Sequence, residues 1–283
     1  MADGLKLGDV YGATIARIKA QNGDKSRLRI AALMWISHAE RPLQADELCH
    51  ALEVELGSTD FNTANIPSMS TLVNCCQGLI AVDKEASTVR LIHFTLQEYL
   101  SAHPDIYSSA HSAMAEICLT YLSSQQVKAL SICPSPDTQK KTFLEYCSVY
   151  WGVHAKRELS DYAKSLALEP LKGHYRQIPT RSLLARVGGL DIPEFTTCFA
   201  FSRLHCASFF GIIEVVAGSM EMECYDINGR DFSGSTPLAW VAHNGHVGAV
   251  KGLLEWDDIN PDKPDNSGRT PLLIAARGDV RKW

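Results

Sequence analysis

Apolar residues recur at helical spacing through the first hundred positions of the chain. The spacing predicts amphipathic helices on four successive stripes, namely Tyr11, Ile15 and Ile18, then Leu28, Ala31, Ala32, Trp35 and Ile36, then Leu48, Ala51 and Leu52, then Leu72, Val73 and Cys76. Residues 79–83 and 88–93 are two short apolar runs joined by a polar segment, which predicts a hairpin. Residues 95–98 have the pattern of a capping box, so we expect the next helix to follow Thr95.

Residues 105–195 form a second region, which the pattern predicts to be helical. Two stripes support this prediction, one of Ala113, Met114, Ile117, Cys118, Tyr121 and Leu122, the other of Phe143, Tyr146, Cys147, Tyr150, Trp151 and His154. An aromatic stripe of this kind is more often core than ligand pocket. Prolines in residues 133–137 indicate a connector, and Ile178-Pro179 and Ile192-Pro193 flank a last short helix.

The last eighty residues contain a repeat with an offset of 34. Residues 234–238 (GSTPL) return as residues 268–272 (GRTPL), and residues 202–207 (SRLHCA) lie one step upstream. The segment resembles the ankyrin repeat, which has a period of about 33 and a Thr-Pro-Leu-His-x-Ala signature. The resemblance covers about residues 200–283 and amounts to two units and an incomplete third.

Each part of the repeat has a physical reason. Thr236 can cap a helix whose first position is Pro237, and Gly245 can end that helix in a left-handed conformation. Residues 265–268 supply a turn that would project as a finger between units. Ala239 and Leu273 replace the signature histidine, so we expect its hydrogen bonds to the turn to be missing there. Because so short an array leaves an apolar end uncovered, we expect the chain to be a fragment.

The order helix, helix, helix, hairpin is that of a winged helix. With residues 39–43, 46–48, 75–79 and 91–99, the region resembles the winged helix of the GPI inositol-deacylase-like type, which follows the NTPase core in fungal NACHT–ankyrin proteins of the STAND class. Residues 117–122 and the Tyr150-Trp151-x-x-His154 block are similar to the helical spacer of those proteins. The resemblance implies a signalling protein whose NACHT core is absent from this sequence.

Chemistry that the resemblance could suggest lacks its motifs. The sequence contains no Gly-Lys dipeptide, so it has no phosphate-binding loop, and we expect no nucleotide binding. The resemblance places His93 where a winged-helix histidine can touch a bound nucleotide, but without the core we expect a structural role for it. No Gly-x-Ser-x-Gly elbow occurs, so lipid hydrolysis is not indicated. His243 and His246 could bind a metal, but His246 fits the ankyrin turn better.

Charge argues against DNA as a partner. Residues 28–103 contain four basic and nine acidic residues, and the expected recognition helix at 68–77 has no Lys or Arg. Such a face cannot supply the counterion release that drives DNA binding. The whole chain has a net charge of −5 and no run long enough for a membrane span. Its nine cysteines lack a Cys-x-x-Cys pair, which favours free thiols in a reducing, cytoplasmic compartment.

These observations predict a mainly α-helical chain. We expect an N-terminal helix and linker at 1–24, a winged-helix domain at 25–103, a helical spacer at 104–199 and a short ankyrin-repeat solenoid at 200–283. The predicted function is non-catalytic binding of a protein partner, with no cofactor, no metal, no nucleic acid and no membrane. The alternative is the regulatory C-terminal part of a NACHT switch whose core acts in cis or in trans. We expect partner contacts at the fingers and the helix between them, namely at Asp231, Phe232, Trp240, His243, Asp265 and Asn266.

Overall fold

The fold is mainly helical. The structure is a computed structural model that describes residues 7–20, 23–58, 66–128, 142–168, 201–221 and 226–277. Fourteen α-helices lie in these ranges: α1 Leu7–Ala20, α2 Asp24–His38, α3 Ala45–Glu53, α4 Met69–Cys75, α5 Phe94–Ala102, α6 Ala110–Ser123, α7 Gln125–Lys128, α8 Thr142–Arg157, α9 Asp161–Leu168, α10 Arg203–Phe210, α11 Ile213–Met220, α12 Pro237–His243, α13 Val247–Leu254 and α14 Pro271–Ala276. A 3₁₀ turn covers Pro104–Ile106.

A three-stranded antiparallel sheet completes the winged helix. The strands are β1 Leu43–Gln44, β2 Ile80–Asp83 and β3 Thr88–Leu91, in the order β1-β3-β2. The hairpin of β2 and β3 confirms the predicted one. The two-residue strand β1 is missed by the sequence pattern, because a strand this short shows no alternation; only its pairing with β3, Leu43 opposite Val89, defines it.

A buried carboxylate fixes the start of α3. Gln44 is the N-cap residue, and Glu47 accepts a hydrogen bond from the Gln44 backbone N–H at 2.9 Å. Arg41 holds the same carboxylate through both guanidinium ends, at 2.6 and 2.7 Å. The side chain of Glu47 is only 2% exposed, so this bidentate pair compensates the burial of its charge.

The start of α5 corrects the predicted capping box. The helix begins at Phe94, and the N-cap is His93, whose Nδ1 accepts a hydrogen bond from the Thr95 backbone N–H at 3.3 Å. The Thr95 hydroxyl lies 2.9 Å from the same nitrogen and 3.0 Å from the Tyr11 hydroxyl of α1. The helix therefore starts earlier than the motif indicates, because an imidazole at the strand end replaces threonine as the cap.

The winged helix and the spacer share one aromatic core. Trp35 of α2 packs edge-on against Phe143 and Tyr146 of α8, with ring centroids 5.6 and 5.8 Å apart. Tyr121 of α6 closes the cluster against Phe143 at 5.0 Å. All four side chains are fully buried, so the predicted aromatic stripe is core. Tyr150 is the member of that stripe that stays partly exposed.

Helices α8 and α9 continue the ankyrin stack on its N-terminal side. The first helices of the units, α10, α12 and α14, pack side by side, and so do the second helices α11 and α13. Helix α8 packs against α10, and α9 packs against α11, so this pair occupies the place of a preceding repeat. On the other side, Leu272 and Leu273 of α14 are 74% and 45% exposed.

Several predicted features lie outside the described residues. These are the connector at 133–137, the Ile-Pro pairs at 178–179 and 192–193, and the last residues of the third repeat.

Gly152 permits the contact between the spacer and the first ankyrin unit. A Cβ built at Gly152 would overlap the ring of Phe210. That ring is buried and packs edge-on against Trp151, with the ring centroids 5.1 Å apart. We therefore expect Gly152→Ala to lower the free energy of unfolding by about 1–3 kcal/mol, measured by urea denaturation, because the helices must separate.

The matched control is Gly252→Ala in α13, where a Cβ would meet no atom within 4 Å. There we expect no loss, and a gain of up to about 1 kcal/mol from the better helix propensity of alanine. Equal effects of the two substitutions would contradict the close-packing explanation.

Candidate functional site

The first finger is organised around the buried carboxylate of Asp231. Its Oδ1 accepts hydrogen bonds from the backbone N–H groups of Ser233 and Ser235, each at 2.8 Å, and from the Ser233 hydroxyl at 2.7 Å. Its Oδ2 accepts one from the indole Nε1 of Trp240 at 2.8 Å. The carboxylate thus joins the turn to the helix that follows it, and Asp231 is only 5% exposed.

The second finger repeats this design with a different donor. The Oδ1 of Asp265 accepts from the backbone N–H groups of Ser267 and Arg269 at 2.8 and 2.9 Å, and its Oδ2 accepts from the Arg269 guanidinium at 2.7 Å. Burial raises the pKa of Asp265, but these hydrogen bonds and the nearby positive charge outweigh it, so the pKa is lowered overall. The glycine that closes this turn, Gly268, has φ +75°, a conformation that glycine adopts without steric cost.

Hydrogen bonds connect the two fingers directly. The Asn266 backbone N–H donates to the Ser233 carbonyl at 3.0 Å, and the Asn266 amide donates to the Phe232 carbonyl at 3.2 Å. Arg230 donates to the Asn266 side-chain oxygen at 3.0 Å. The fingers therefore form one ladder and present a surface that is ordered before any partner arrives.

The six predicted contact residues have different surroundings. Asp231, Asp265 and Trp240 are 5%, 5% and 8% exposed, and their polar atoms already have partners within the repeat, so their first role is structural. Phe232 and His243 are partly exposed, and Asn266 is exposed. The structure brings Asn266 next to Phe232, and the His243 ring lies 6.0 Å from that of Trp240. Contact of these residues with a partner stays a prediction.

The signature histidine survives in the first unit as His205. Its Nε2 donates to the carbonyls of Gly229 and Ser235 at 3.1 and 3.2 Å, which leaves Nδ1 as the acceptor for the Ser202 backbone N–H and hydroxyl. In the second unit Ala239 stands at this position, and the neighbouring Trp240 bonds Asp231 of the same first finger from the other side. The Ser202–His205 contact is thus a helix cap, and the His205 side chain is only 1% exposed.

His246 is committed to the turn between α12 and α13. Its Nε2 donates to the Phe209 carbonyl at 2.9 Å, and its Nδ1 accepts from the Lys156 ammonium group at 3.1 Å. Both ring nitrogens are occupied, which agrees with the structural role predicted from the sequence. The contact also joins the spacer to the second ankyrin unit, since Lys156 belongs to α8.

A second group of titratable side chains lies where the winged helix meets the spacer. The Glu40 backbone N–H donates to the Tyr146 hydroxyl at 3.2 Å, and that hydroxyl lies 2.9 Å from Nε2 of His154. The Nδ1 of His154 lies 2.9 Å from Nδ1 of His111. One set of protons satisfies this chain: Tyr146 donates to His154, and His154 donates through Nδ1 to His111. Arg157 pairs with the Glu40 carboxylate beside it.

The same residues include a combination of metal-ligating type. Donor atoms of Glu40, His111 and His154 lie within 4.8 Å of one another. The ring centroids of the two histidines are 5.2 Å apart and the facing nitrogens 2.9 Å apart, so both nitrogens lie close to the line that joins the centroids. A metal ion on that line would need the nitrogens about 4 Å apart, given bonds of roughly 2.0–2.1 Å. The geometry therefore fits a hydrogen bond between neutral rings.

Burial keeps these rings neutral. The pKa of His154, which is fully buried, is lowered to about 3, first by burial and then by His111 and Arg157. The pKa of His111 is lowered to about 4, again first by burial and then by Arg157. His38, whose ring is 5.5 Å from that of His111, also has a lowered pKa because of burial. Glu158, which accepts from the Ser112 backbone N–H, acts against the shift of His111.

Taken together, the described residues form a winged-helix domain, a helical spacer and a stack of ankyrin repeats. Residues 16–115 match the family model described as "GPI inositol-deacylase, winged helix domain". Residues 204–282 match the model described as "Ankyrin repeats (3 copies)". These matches confirm the winged helix and the ankyrin repeats that the sequence predicts.

One relative among curated proteins is similar to a short part of the chain. The ankyrin repeat-containing protein C6C3.08 of Schizosaccharomyces pombe is 34% identical over 62 residues. The match covers 22% of this chain and 26% of the relative, so the chain spans about a quarter of the length of that protein. Within the described part of this chain, no helix is long and apolar enough to span a membrane.

The finger carboxylate gives a stability prediction. We expect Asp231→Ala to lower the free energy of unfolding by about 2–4 kcal/mol, because it removes the acceptor of four hydrogen bonds and leaves the Trp240 N–H buried without a partner. Urea denaturation followed by tryptophan fluorescence measures the change. Asp262→Ala, at an exposed position of the other finger, should change it by less than about 0.5 kcal/mol. A similar loss at both positions would refute the role of Asp231.

The buried histidines give a pH prediction. An unfolded histidine has a pKa near 6.5, so between that value and the lowered folded values the unfolded chain binds more protons. The stabilising contribution is therefore complete above about pH 6.5 and is lost as the pH falls. We expect the free energy of unfolding to drop by ~2 kcal/mol between pH 7 and 5 from His154 alone. Urea midpoints across this range measure it.

Two variants separate titration from packing. His154→Gln should reduce the pH dependence without removing it, because one titrating group is gone while His111 and His38 remain. Tyr146→Phe should lower stability by about 1–3 kcal/mol at every pH but keep the wild-type slope, because it removes the hydroxyl and leaves the imidazole. A wild-type slope in His154→Gln would show that other groups carry the pH dependence.

Proposed function

We propose that this chain is a non-catalytic module that binds a protein partner through its ankyrin fingers and the exposed part of the adjoining helices. Ankyrin repeats imply a role in protein interaction. The observation that carries the proposal is the hydrogen-bonded ladder between the two fingers, which orders Phe232 and Asn266 next to each other on the surface. A preordered surface loses little conformational entropy on binding, which favours recognition of a folded or peptide partner.

The local chemistry supports a binding role over a catalytic one. The Ser202–His205 contact and the Tyr146–His154–His111 chain bring hydroxyls and imidazoles together, as a catalytic site would. His205 and His154 are at most 1% exposed, His111 is partly exposed, and the hydrogen bonds serve a helix cap and a domain junction. A substrate would have to displace that packing to reach His205 or His154.

Charge supports a protein partner over DNA. Helix α4 lies in the position of a recognition helix, and its sequence, MSTLVNC, contains no Lys or Arg. The excess of acidic residues in the region argues against attraction of a phosphate backbone. Six cysteines in the described residues form no disulfide, which supports a reducing, cytoplasmic location.

The second candidate function is regulatory, with the chain acting against a NACHT core in cis or in trans. An exposed apolar patch on the winged helix favours it: Phe94 is 67% exposed and Ile92 is 47% exposed, on either side of His93. Large exposed apolar side chains next to each other are typical of a surface that contacts another domain. Titration with ATP or GTP should show no binding to this chain alone, and addition of a purified NACHT core should protect Phe94 from solvent.

Site-specific photo-crosslinking tests the primary proposal. With p-benzoylphenylalanine in place of Phe232, we expect one discrete cross-linked protein in cells, whose yield falls at least fivefold when His243→Ala is added. The matched control carries the same photoreactive residue at Val247, a 65% exposed position at the start of α13. Products shared by both positions, or products insensitive to His243→Ala, would contradict binding at the fingers.

A further inference from the structure

A small pocket lies between the spacer and the ankyrin repeats. It encloses about 90 Å³ and is lined by Val149, Tyr150 and Val153 of α8 and by Phe209 and Phe210 of α10. Lys156 and His246 complete its wall. A cavity of roughly 150 Å³ is known to hold benzene, so this one accommodates a smaller group such as an isobutyl or isopropyl side chain. It is far below the roughly 300–1,000 Å³ of a cofactor or drug-sized site.

The pocket has one positive charge and no negative one. Lys156 donates a hydrogen bond to Nδ1 of His246 at 3.1 Å. This nitrogen carries no proton and can accept, because the proton of the neutral ring is on Nε2, which donates to the Phe209 carbonyl. No carboxylate among the described residues pairs with Lys156, although the chain as a whole is acidic. Burial lowers the pKa of Lys156. The ammonium group therefore keeps two N–H donors for an anionic ligand that enters from solvent.

The ankyrin side of the pocket lies at the C-terminal ends of the first helices, away from the fingers. Phe209 and Phe210 end the first helix of unit one, and His246 lies in the turn of unit two. Gly152 and Gly211 let these elements approach closely, because a Cβ at either would overlap Phe210 or His246. The walls are thus fixed by backbone packing, as an anchor pocket for a partner side chain requires.

We propose that this pocket receives one aliphatic side chain, such as leucine, of an acidic peptide segment whose neighbouring carboxylate pairs with Lys156. The inference goes beyond the proposed function, because none of the finger residues lines the pocket, and it names the chemistry of a partner. Apolar burial supplies the attraction and the charge pair sets orientation and selects against neutral or basic segments. The size of the pocket favours a single side chain over an aromatic metabolite.

Nuclear magnetic resonance of the full chain with labelled valine methyl groups tests the proposal. The probe is the peptide acetyl-Gly-Glu-Leu-Asp-Gly-amide. We expect saturable shifts of the Val149 and Val153 methyl signals at millimolar concentration. The neutral peptide acetyl-Gly-Gln-Leu-Asn-Gly-amide and the anchorless acetyl-Gly-Glu-Ala-Asp-Gly-amide should each bind at least fivefold more weakly. Equal binding of the acidic and neutral peptides, or no binding, would overturn the proposal.

Matched variants assign the effect to the pocket. Lys156→Gln should weaken the acidic peptide at least fivefold and leave the neutral one unchanged, whereas Lys251→Gln, at an exposed position of α13, should change neither. Val153→Phe should fill the pocket and abolish the shifts of Val149. Lys156 is exposed, so its variant keeps the test decisive even if Val153→Phe does not fold. A Lys251→Gln effect equal to that of Lys156→Gln would refute the pairing.

Other occupants give distinct results. Saturation by isovalerate at lower concentration than by the acidic peptide would replace the peptide with a small carboxylate and overturn the proposal. Concentration-dependent shifts of the same valines without peptide would indicate a second copy of the chain and overturn it as well. The outcome is independent of the proposed function: cross-linking at Phe232 without peptide binding refutes only the pocket, and the reverse result refutes only the fingers.

Discussion

The architecture depends on one helix that packs on two sides at once. Helix α8 buries Phe143 and Tyr146 against Trp35 of the winged helix, and it presents Gly152 to Phe210 of the first ankyrin unit. Because protein interiors are close-packed, neither contact can open without the cost of a cavity or of exposed aromatic surface. The winged helix and the repeats are therefore connected through side-chain packing as well as through the chain.

This packing also solves a problem inherent in short solenoids. A repeat needs a neighbour on each side to bury its apolar faces. Helices α8 and α9 supply that neighbour for the first unit, although their sequence lacks the ankyrin signature. Trp151 and Phe210 pack edge-on where the spacer meets the first unit. A pair of ordinary amphipathic helices can thus act as an end cap when its spacing matches that of the repeat.

The fingers show how different side chains can perform one structural task. His205, Trp240 and Arg269 occupy different positions in their units, yet each donates a hydrogen bond to the turn beside its helix. Each turn requires a side-chain donor that is long enough to reach it, because a buried carboxylate or carbonyl without a hydrogen-bond partner lowers the stability of the fold. The bonds hold the surface residues between them in place, and this order is the property that a binding module needs.

The sequence by itself determined the repeat, the winged-helix order and the cap at Thr236, because these depend on local spacing and on the backbone preferences of threonine, proline and glycine. It also indicated the aromatic core of α8, since a helical stripe shows directly in the spacing. Only the tertiary structure decided that Asp231 and Trp240 are buried together, that His93 caps α5, and that His111, His154 and Glu40 meet. Those outcomes depend on residues that are far apart in the chain or on which of several possible donors is nearer, and no local pattern records such distances.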